Sequence, residues 1–420
     1  MATVVLVGTL DTKGEEYGWL REQLVALGCE VLTVDVGTLG DAGRDASGAD
    51  VGAADVARAG GADVTALREA RDRGAAMDAM ARGAAAVVRR LYDEGRLDAV
   101  LAVAGSGGSS VAGRAMQALP VGVPKLLVST MASGDVSPYV GSVDVTLMYA
   151  VVDVAGINSV SAAVLGNAAA AAAGMAQRHA TARTEPATRQ RPTVAATMFG
   201  VTTPAVDEAR AHLTDLGYEV LVFHATGSGG RAMETLAASG LLAGVLDLTT
   251  TELADELVGG VLSAGPERLE AAGRRGIPQV VSLGALDMVN FGPRETVPDR
   301  FAGRTLYVHN PAITLMRTTA DENAQLGATI ARKLAAATGP VEVFVPRRGV
   351  SAIDVAGAPF ADPDADEALF TALAKGLAGS RVVVHDLDEA INDPGFGRRA
   401  ADALHRMIGN EPAGRTAEGD

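Results

Sequence analysis

Cysteine is almost absent from this chain, and histidine is rare. Its 420 residues include one cysteine, Cys29, and six histidines. A single thiol excludes an internal disulfide framework and every metal site built from several cysteines. The histidines are scattered, with no HExxH motif or other close ligand spacing, so we predict no metal site from a protein motif.

Aromatic residues and positive charge are also scarce. Aromatic side chains make up 4% of the chain, so alanine, valine and leucine must build the interior. The formal net charge is −15 and the pI is near 4.9, which argues against a surface that binds nucleic acid or anionic membranes. An anionic ligand would therefore need a local positive site.

We also expect neither a signal peptide nor a membrane-spanning segment. Its first residues are apolar only briefly and have no basic region ahead of them. The longest apolar stretch, residues 158–176, is rich in alanine and contains two asparagines, so we predict a packed helix rather than a membrane span. We therefore expect a soluble, cytoplasmic protein that contacts neither membrane nor nucleic acid.

Length and pattern predict two α/β domains. Short buried-strand patterns alternate with helical patterns, which is typical of mostly parallel sheets flanked by helices. Residues 193–227 repeat the pattern of residues 3–37, with Gly217 aligned to Gly28. The predicted fold is therefore α/β with two Rossmann-like domains. Its predicted parts are a first domain at 1–178, a linker at 179–193, a second domain at 194–410 and a disordered tail at 411–420.

A glycine-serine loop follows an apolar run in the first half. A parallel strand that ends in Gly-Ser-Gly-Gly and opens a helix presents backbone N–H groups at the positive end of that helix, where a phosphate binds well. An ordinary turn with a serine cap is the alternative, since the motif is neither a Walker A sequence nor a dinucleotide fingerprint. The candidate nucleotide-binding residues here are Gly105, Ser106, Gly107, Gly108 and Ser109.

The same Gly-Ser-Gly-Gly core recurs in the second half, where an arginine follows it. The repeat favours ligand binding at both copies, because a simple turn needs only one or two glycines. The residues of this second ligand loop are Gly227, Ser228, Gly229, Gly230 and Arg231.

Other polar loops follow predicted strands, at the edge where doubly wound sheets bind their ligands. A solvated lysine and a capping aspartate are the structural alternatives for Lys13 and Asp35. The segment after the strand near 280 has no helical spacing, so we predict an irregular site loop there. The candidate ligand residues in these loops are Gly8, Asp11, Thr12, Lys13, Asp35, Thr130, Ser133, Gly134 and Asp135 in the first half, and Asp287 and Asn290 in the second.

Two T-x-x-E motifs lie in the second half, within residues 247–256 and 317–323. This spacing predicts capping boxes, because a Thr hydroxyl and a Glu carboxylate can bind each other's backbone amides at a helix start. No Ser/His/Asp order and no close carboxylate pair stands out, so no catalytic residue is assigned.

Several strings together resemble one family. They include "GTLDTKGEE" (8–16), "HATGSGGRAME" (224–234), "LMRTTADEN" (315–323) and "VPRRGVSAIDVAGAPFADPDAD" (345–366). They are similar to strings of the tomato tobamovirus-resistance protein-like ATP-binding family, and the similarity runs over nearly the whole chain. The resemblance implies two Rossmann-like subdomains, dimerisation, and ATP bound with Mg²⁺.

By resemblance, nucleotide contacts would come from the 8–13, 105–108 and 130–134 segments, and no role is implied for the second-half strings. The chain departs from the family pattern at Ala104 and Ser109, where members often carry glycine and threonine. Larger members continue into a C-terminal barrel without a counterpart here, so its chemistry is expected to come from a partner or to be lacking.

We therefore expect an ATP- or nucleotide-binding protein that forms a homodimer and holds its ligands in an interdomain cleft. The first hypothesis is an ATP-dependent enzyme that acts on an unknown small molecule. The alternative is a non-catalytic regulatory protein that senses a nucleotide or a phosphorylated metabolite. The alternative is motivated by the lack of a recognisable base or nucleophile.

Overall fold

A computed structural model describes residues 1–38, 48–184 and 191–410 of the chain. The chain divides into two compact units, Met1–Thr188 and Arg189–Asp420. The tail predicted at 411–420 lies outside the described residues, as does the middle of the predicted linker. The first six residues of that linker are helical instead, because His179 and Arg183 at the end of a long helix both contact the Asp98 carboxylate.

The first unit is built on one parallel sheet. Its strands are β1 (Thr3–Gly8), β2 (Glu30–Asp35), β3 (Ala99–Ala104), β4 (Lys125–Ser129) and β5 (Thr146–Tyr149). Its helices are α1 (Leu10–Ala26), α2 (Ala53–Ala59), α3 (Val64–Ala70), α4 (Arg73–Asp93), α5 (Ser106–Gln117), α6 (Ser137–Val140) and α7 (Ser159–Thr184). The strand order is β2-β1-β3-β4-β5, and every neighbouring pair is parallel.

Both faces of this sheet are covered, which explains the continuous apolar runs of its strands. In β1, Val5 and Val7 pack on one side with α2, α4 and α5, while Val4 and Leu6 pack on the other side with α1 and α7. Helix α7 is the one described helix that is long and apolar enough to cross a membrane by length and composition, with a mean hydropathy of 1.4. Its Leu165 and several alanines are buried in the core beside α1.

The second unit repeats the architecture with a larger sheet. Its parallel strands are β6 (Thr193–Met198), β7 (Glu219–His224), β8 (Gly244–Thr249), β9 (Gln279–Gly284), β13 (Val341–Pro346) and β14 (Val383–Leu387), in the order β14-β13-β9-β8-β6-β7. A small antiparallel sheet, ordered β10-β12-β11, contains β10 (Met288–Phe291), β11 (Leu306–Asn310) and β12 (Ile313–Arg317). The helices are α8 (Thr203–Asp215), α9 (Ser228–Ala238), α10 (Glu252–Val258), α11 (Ala271–Arg275), α12 (Ala320–Ala335), α13 (Pro363–Leu377) and α14 (Phe396–Asn410), with short 3₁₀ turns at Arg294–Thr296 and Asp299–Phe301.

The predicted fold class is confirmed, since both units are parallel α/β sheets flanked by helices. The repeated opening is confirmed as well. The segments β1–α1–β2 and β6–α8–β7 share the same course, and Gly28 and Gly217 end their first helices with φ of 80° and 95°. A positive φ suits glycine because it has no Cβ, and it closes a helix in the left-handed conformation.

One local prediction was wrong. The segment around Asp287 and Asn290, predicted to be an irregular loop, contains strand β10, which pairs antiparallel with β12 from Met288↔Arg317 to Phe291↔Thr314. Four residues that include an asparagine are too short a run to show a strand period, and the partner strand supplies the hydrogen bonds that define it.

Candidate functional site

The strand order of the first unit places a crevice between β1 and β3. From β1 the chain turns to β2 on one side of the sheet, and from β3 it turns to β4 on the other side. In open parallel sheets, ligands bind outside the carboxyl ends of the strands at such a switch point. The loops that leave β1 and β3 here are the two that sequence analysis selected, at residues 8–13 and 105–109.

Tyr17 holds the two strands where their pairing ends. The register between β1 and β3 runs only to Leu6↔Leu101. Beyond it, the buried Tyr17 hydroxyl donates to the Val7 carbonyl at 2.6 Å and accepts from the Val103 amide at 2.9 Å. A Cβ on Gly8 would lie 2.0 Å from the Tyr17 ring, so this position requires glycine.

The first glycine loop, residues 105–108, leaves a helix end open. Helix α5 begins at Ser106, and Gly105 before it provides no side-chain cap. The Ser109 amide bonds to the Gly105 carbonyl at 2.9 Å, but the amides of Ser106, Gly107 and Gly108 have no acceptor among the described residues. These three N–H groups point from the positive end of a helix of 12 residues. They can bind an anion that comes from outside the chain.

Serine and threonine residues next to this loop have different roles. Ser106 is exposed at the first helical position, whereas Ser109 is buried with its Oγ 2.7 Å from Ser129 Oγ. The Thr130 amide donates to the Ala104 carbonyl at 3.2 Å. Ser109 therefore joins α5 to the end of β4, and Ser106 is the hydroxyl available to a ligand.

The other predicted residues after β4 are exposed. Ser133, Gly134 and Asp135 all face solvent in the described structure. The Asp135 carboxylate accepts from the Ser137 hydroxyl at 2.6 Å and from the Ser137 amide at 3.0 Å, and these bonds lower its pKa. Asp135 thus has a local role at the start of α6.

The loop after β1 is arranged by Asp35. This buried carboxylate accepts from the Leu10 amide at 3.0 Å and from the Gly37 amide at 2.9 Å. Burial raises the pKa of Asp35, and the negative charge of Asp11 raises it further. Asp35 therefore ties the ends of β1 and β2 together, which is the structural alternative that the sequence left open.

Lys13 and Thr12 begin helix α1 at the same edge. Lys13 has non-helical torsions, φ −131° and ψ 29°, and its Nζ donates to the Val154 carbonyl at 2.5 Å. The Thr12 hydroxyl donates to Thr9 Oγ1 at 2.8 Å. A neutral carbonyl is a weaker partner for an ammonium group than a phosphate oxygen, because only the phosphate oxygen carries an opposite charge.

The second glycine loop, residues 227–230, differs from the first in its amides. Glu252 Oε1 accepts from the Gly227 amide at 2.6 Å and from the Gly230 amide at 3.1 Å. A Cβ on Gly230 would lie 2.1 Å from Glu252 Oε2, so the carboxylate fills the space against the loop. The position that an external phosphate would take is occupied by a side chain of the protein.

Glu252 is itself held by a buried arginine. Arg268 Nε donates to Glu252 Oε2 at 2.7 Å, and the same guanidinium bonds to Asp247 and contacts Glu234 at 3.3 Å. The T-x-x-E motif that ends at Glu252 is therefore not a capping box, and Thr251 makes no side-chain cap. The other motif is one, because Thr319 and Glu322 bind each other's backbone amides.

Most of the remaining second-half candidates are engaged within the protein. Arg231 Nη1 donates to the Ser263 carbonyl at 2.8 Å, and a Cβ on Gly229 would lie 1.9 Å from the His224 carbonyl oxygen. Ser228 is exposed. Asp287 Oδ2 accepts from the Ser351 hydroxyl at 2.8 Å, and burial raises the pKa of Asp287 to about 7.

Asn290 is likewise fully buried. Its Nδ2 donates to Asp255 Oδ2 at 2.7 Å. Over residues 1–38, 48–184 and 191–410, no group of three or more His, Cys, Asp or Glu side chains could hold a metal ion.

Comparison with known proteins assigns the chain to a family. Residues 2–181 match the N-terminal domain and residues 191–408 match the C-terminal domain of "Uncharacterised protein family (UPF0261)". The chain belongs to the UPF0261 family. It is 48% identical over 406 residues to the UPF0261 protein of Clostridium tetani, with 96% of this chain and 98% of that protein covered. It is 46% identical over 411 residues to the UPF0261 protein RA0729 of Rhizobium meliloti, with 98% and 100% covered.

The predicted resemblance to the tomato protein is confirmed. This UPF0261 chain is 45% identical over 334 residues to the ToMV resistance protein Tm-1(GCR237) of Solanum lycopersicum, covering 79% of this chain and 44% of that protein. It therefore spans less than half the length of the tomato protein. Among solved structures, glycosyltransferase VinC in complex with DTDP aligns over 95% of this chain and 99% of that chain at 11% identity. The TM-score is 0.21, which is too low to infer a shared fold or function.

Sequence reasoning missed two arginines of the UPF0261 chain, Arg73 beside the first glycine loop and Arg68 near Asp35. Arg73 Nη2 is 3.3 Å from where a Cβ on Gly107 would lie, and Arg68 is close enough to Asp35 to lower its pKa. Both belong to helices that precede β3, whereas the sequence signals for a ligand site lie at strand ends. The available signal was the arginine-rich run at 68–73, in a chain with few positive charges to spare.

Proposed function

We propose that the first unit binds ATP, or a closely similar nucleotide, with its phosphates at the start of α5. One observation carries the proposal, and it is the contrast between the two glycine loops. Glu252 already occupies the amides of the second loop, whereas the amides of Ser106, Gly107 and Gly108 have no acceptor among the described residues. The carboxylate on the Gly227 and Gly230 amides supports an anion at a Gly-Ser-Gly-Gly helix start, although Gly227 and Gly105 differ in φ, at 80° and −82°.

The surrounding residues support a phosphate ligand. Ser106 offers an exposed hydroxyl, and Lys13 offers an ammonium group at the end of the neighbouring strand. The Tyr17 hydroxyl bridges β1 and β3 beyond the end of their pairing, at the switch point where doubly wound sheets bind their ligands. This site would be locally positive although the whole chain carries a net charge of −15.

Magnesium fits this proposal as a companion of the nucleotide. Mg²⁺ at such sites is bound mainly by substrate phosphates and water, with one or two carboxylates from the protein. The ion would neutralise phosphate charge when bound. The chain's own groups would bind and orient the phosphates through the α5 amides and Lys13.

Two substitutions at Ser106, Asp and Asn, differ from each other in charge and not in shape, and together they test the proposal. Asp at this position would favour the positive end of α5 by about 0.3–1 kcal/mol and would repel phosphate, whereas the isosteric Asn adds no charge. In thermal unfolding, ATP with Mg²⁺ at 100 times its Kd should stabilise the wild type and Ser106→Asn by about 2.7 kcal/mol. Without nucleotide, Ser106→Asp should be at least as stable as the wild type, and with nucleotide it should show no shift. An equal ATP-dependent shift in Ser106→Asp would show that the phosphates do not bind at this loop.

The second candidate function is nucleotide binding without a catalysed reaction, and the hydrogen bonds that Asp35 already makes favour it. The Asp35 carboxylate lies at the switch point, but it holds the Leu10 and Gly37 amides rather than standing open as a base. Release of phosphate or AMP, with small-molecule acceptors added, distinguishes the two functions. Turnover that is lost in Ser106→Asp supports an enzyme, and bound but unchanged ATP supports a sensor.

A further inference from the structure

We infer that residues 349–362 of the second unit form a lid that is held closed by a proton shared between Asp354 and Asp366. This segment, the strap, lies between β13 and α13 and has no helix or strand of its own. It covers the carboxyl end of β9, at the edge where parallel sheets bind their ligands. Loss of the proton would open the strap and expose Asp287, which follows β9. The strap contains none of the residues proposed to bind nucleotide.

Side-chain contacts hold the strap against the rest of the second unit. The Ser351 hydroxyl donates to Asp287 Oδ2 at 2.8 Å. Further along, Phe360 is buried and packs edge-to-face on Tyr307 of β11, with 6.3 Å between the ring centroids. A long connection that is fastened at separate points can open locally while the sheet stays folded.

Arg317 of β12 joins the strap to helix α13. Its Nη2 donates to Asp366 Oδ1 at 2.6 Å and to Asp354 Oδ1 at 3.1 Å, and its Nε donates to the Phe360 carbonyl at 2.8 Å. All three charged side chains are buried, with Arg317, Asp354 and Asp366 exposed by 5%, 3% and 8%. One buried guanidinium nitrogen therefore serves two carboxyl groups, one from the strap and one from the helix.

This cluster needs a bound proton. Asp354 and Asp366 are hydrogen-bonded to each other, and two carboxyl groups can bond in this way only when one of them carries a proton. The charged groups that face the pair are Arg317, Asp287 and Asp362. Full ionisation would place four carboxylates around one guanidinium, and buried charge without a partner is unfavourable.

Asp287 adds a second, independent observation. It is fully buried beneath Ser351, and its Oδ1 has no hydrogen-bond partner within the described ranges. A buried carboxylate oxygen without a donor has lost its hydration without replacement, which costs about 1–3 kcal/mol or more. The closed strap therefore disfavours negative charge at Asp287 as well, and opening would return this oxygen to water.

The closed strap binds protons more tightly than the open strap would. Burial, together with the negative charges of Asp287 and Asp366, raises the pKa of Asp354 from 3.8 to about 8, and burial raises the pKa of Asp366 as well. In the open strap both groups would meet water and regain ordinary pKa values. Closure is therefore complete below about pH 4 and weakens as the pH rises toward 8.

Hydrogen exchange of the whole chain, followed by mass spectrometry between about pH 5.5 and 7.5, tests this inference. The Ala352 and Phe360 amides, bonded to the Val201 and Ile353 carbonyls, report the strap. After correction for intrinsic exchange, their protection should fall by about tenfold per pH unit, the slope for one proton released on opening. Amides of β9 report unfolding of the sheet and should stay more protected than the strap.

Asp366→Asn should remove most of this pH dependence. Its side-chain oxygen can still accept from Arg317, and its N–H can take the place of the shared proton at every pH. Protection of the strap should then change by less than about threefold per pH unit. Asp364→Asn is the matched control, because it removes an exposed carboxylate from the same first turn of α13, and it should keep the wild-type slope.

Three results would overturn the inference. The first is strap protection in the wild type that does not change with pH, and the second is an equal slope in Asp366→Asn and Asp364→Asn. The third is a strap that exchanges as slowly as β9 at every pH, because it then does not open by itself. If Asp366→Asn does not fold, the slope of the wild type and of Asp364→Asn decides.

Discussion

At the scale of single residues, two related loops differ by one carboxylate. Glu252 bonds to Gly227 and Gly230 and is paired with the buried Arg268, so these two amides of the second glycine loop are satisfied from within. The sequence shows the same Gly-Ser-Gly-Gly core twice and cannot distinguish the copies. Glu252, which bonds to the second loop, lies more than 20 residues after it. The T-x-x-E spacing at Glu252 predicts a capping box that does not form.

Residue roles at the first loop could be predicted only in part. Glycines, Ser106 and Lys13 were found because strand ends and helix starts have local sequence signals. Arg73 was missed because its closeness to Gly107 depends on how α4 packs, which no local pattern reports. Asp35 lies at the end of β2, as its sequence position indicates, and its two amide partners are tertiary contacts that no local pattern predicts.

Asp255 provides a pH prediction. Burial raises the pKa of Asp255 to about 7, above the ordinary value near 3.8, so its protonated form is favoured by folding. The stability that this proton contributes is complete below pH 4 and is lost as the pH rises toward 7. Asp255→Asn stays neutral at every pH. The Asn290 Oδ1 has no partner in the described structure. If the Asn290 amide rotates, this oxygen can accept from the new side-chain amide of Asp255→Asn.

The unfolding free energy of Asp255→Asn relative to the wild type should therefore rise by about 1–3 kcal/mol between pH 5 and pH 8. Urea unfolding at the two pH values measures this difference. Asp364→Asn, an exposed acid in the first turn of α13, is the control and should show no such rise. Parallel pH profiles for Asp255→Asn and the wild type would contradict the assigned pKa direction.

At the scale of elements, glycines set how closely the helices of the first unit pack. A Cβ on Gly83 in α4 would lie 1.9 Å from the Val56 carbonyl oxygen of α2, and a Cβ on Gly60 would lie 2.1 Å from the Ala79 carbonyl oxygen. This close contact fixes α4, whose first residue is Arg73. The packing of α2 on α4 therefore positions Arg73 beside the first glycine loop.

Gly83→Ala tests that packing. Alanine should gain about 1 kcal/mol of helix propensity, but the clash with the α2 backbone should cost more, giving a net loss of about 1–3 kcal/mol. Gly174→Ala in α7 is the matched control, because nothing lies within 4 Å of its Cβ. The control should stabilise by about 0.5–1 kcal/mol. Urea unfolding measures the free energy of unfolding of both variants. A Gly83→Ala protein as stable as Gly174→Ala would contradict close packing of α2 on α4.

Most elements could be predicted, because α4 is long and periodic and the parallel strands are continuous apolar runs bounded by turn residues. Strand β10 could not, since its four residues become a strand only by pairing with β12. The last turns of α7 could not be predicted either. Their polar and basic composition suggests a linker, but Asp98 near the start of β3 holds His179 and Arg183 in helical positions.

At the scale of the whole molecule, the two units share one strand order over four strands and differ in the groups that bond to their glycine loops. The orders β2-β1-β3-β4 and β7-β6-β8-β9 are equivalent, as the repeat of residues 3–37 in 193–227 predicts. In the second unit, a buried Arg268 cluster takes the place that we assign to a ligand in the first. A repeat in sequence therefore predicts a repeat in fold, and the function has to be argued for each copy from its own contacts.

The most direct test of the central claim is a crystal of the whole chain soaked with a slowly hydrolysed ATP analogue and Mg²⁺. The account predicts phosphate oxygens within hydrogen-bond distance of the Ser106, Gly107 and Gly108 amides. It also predicts that Glu252 stays on the Gly227 and Gly230 amides. Phosphate density at residues 227–230 with Glu252 displaced, and none at residues 105–108, would contradict it.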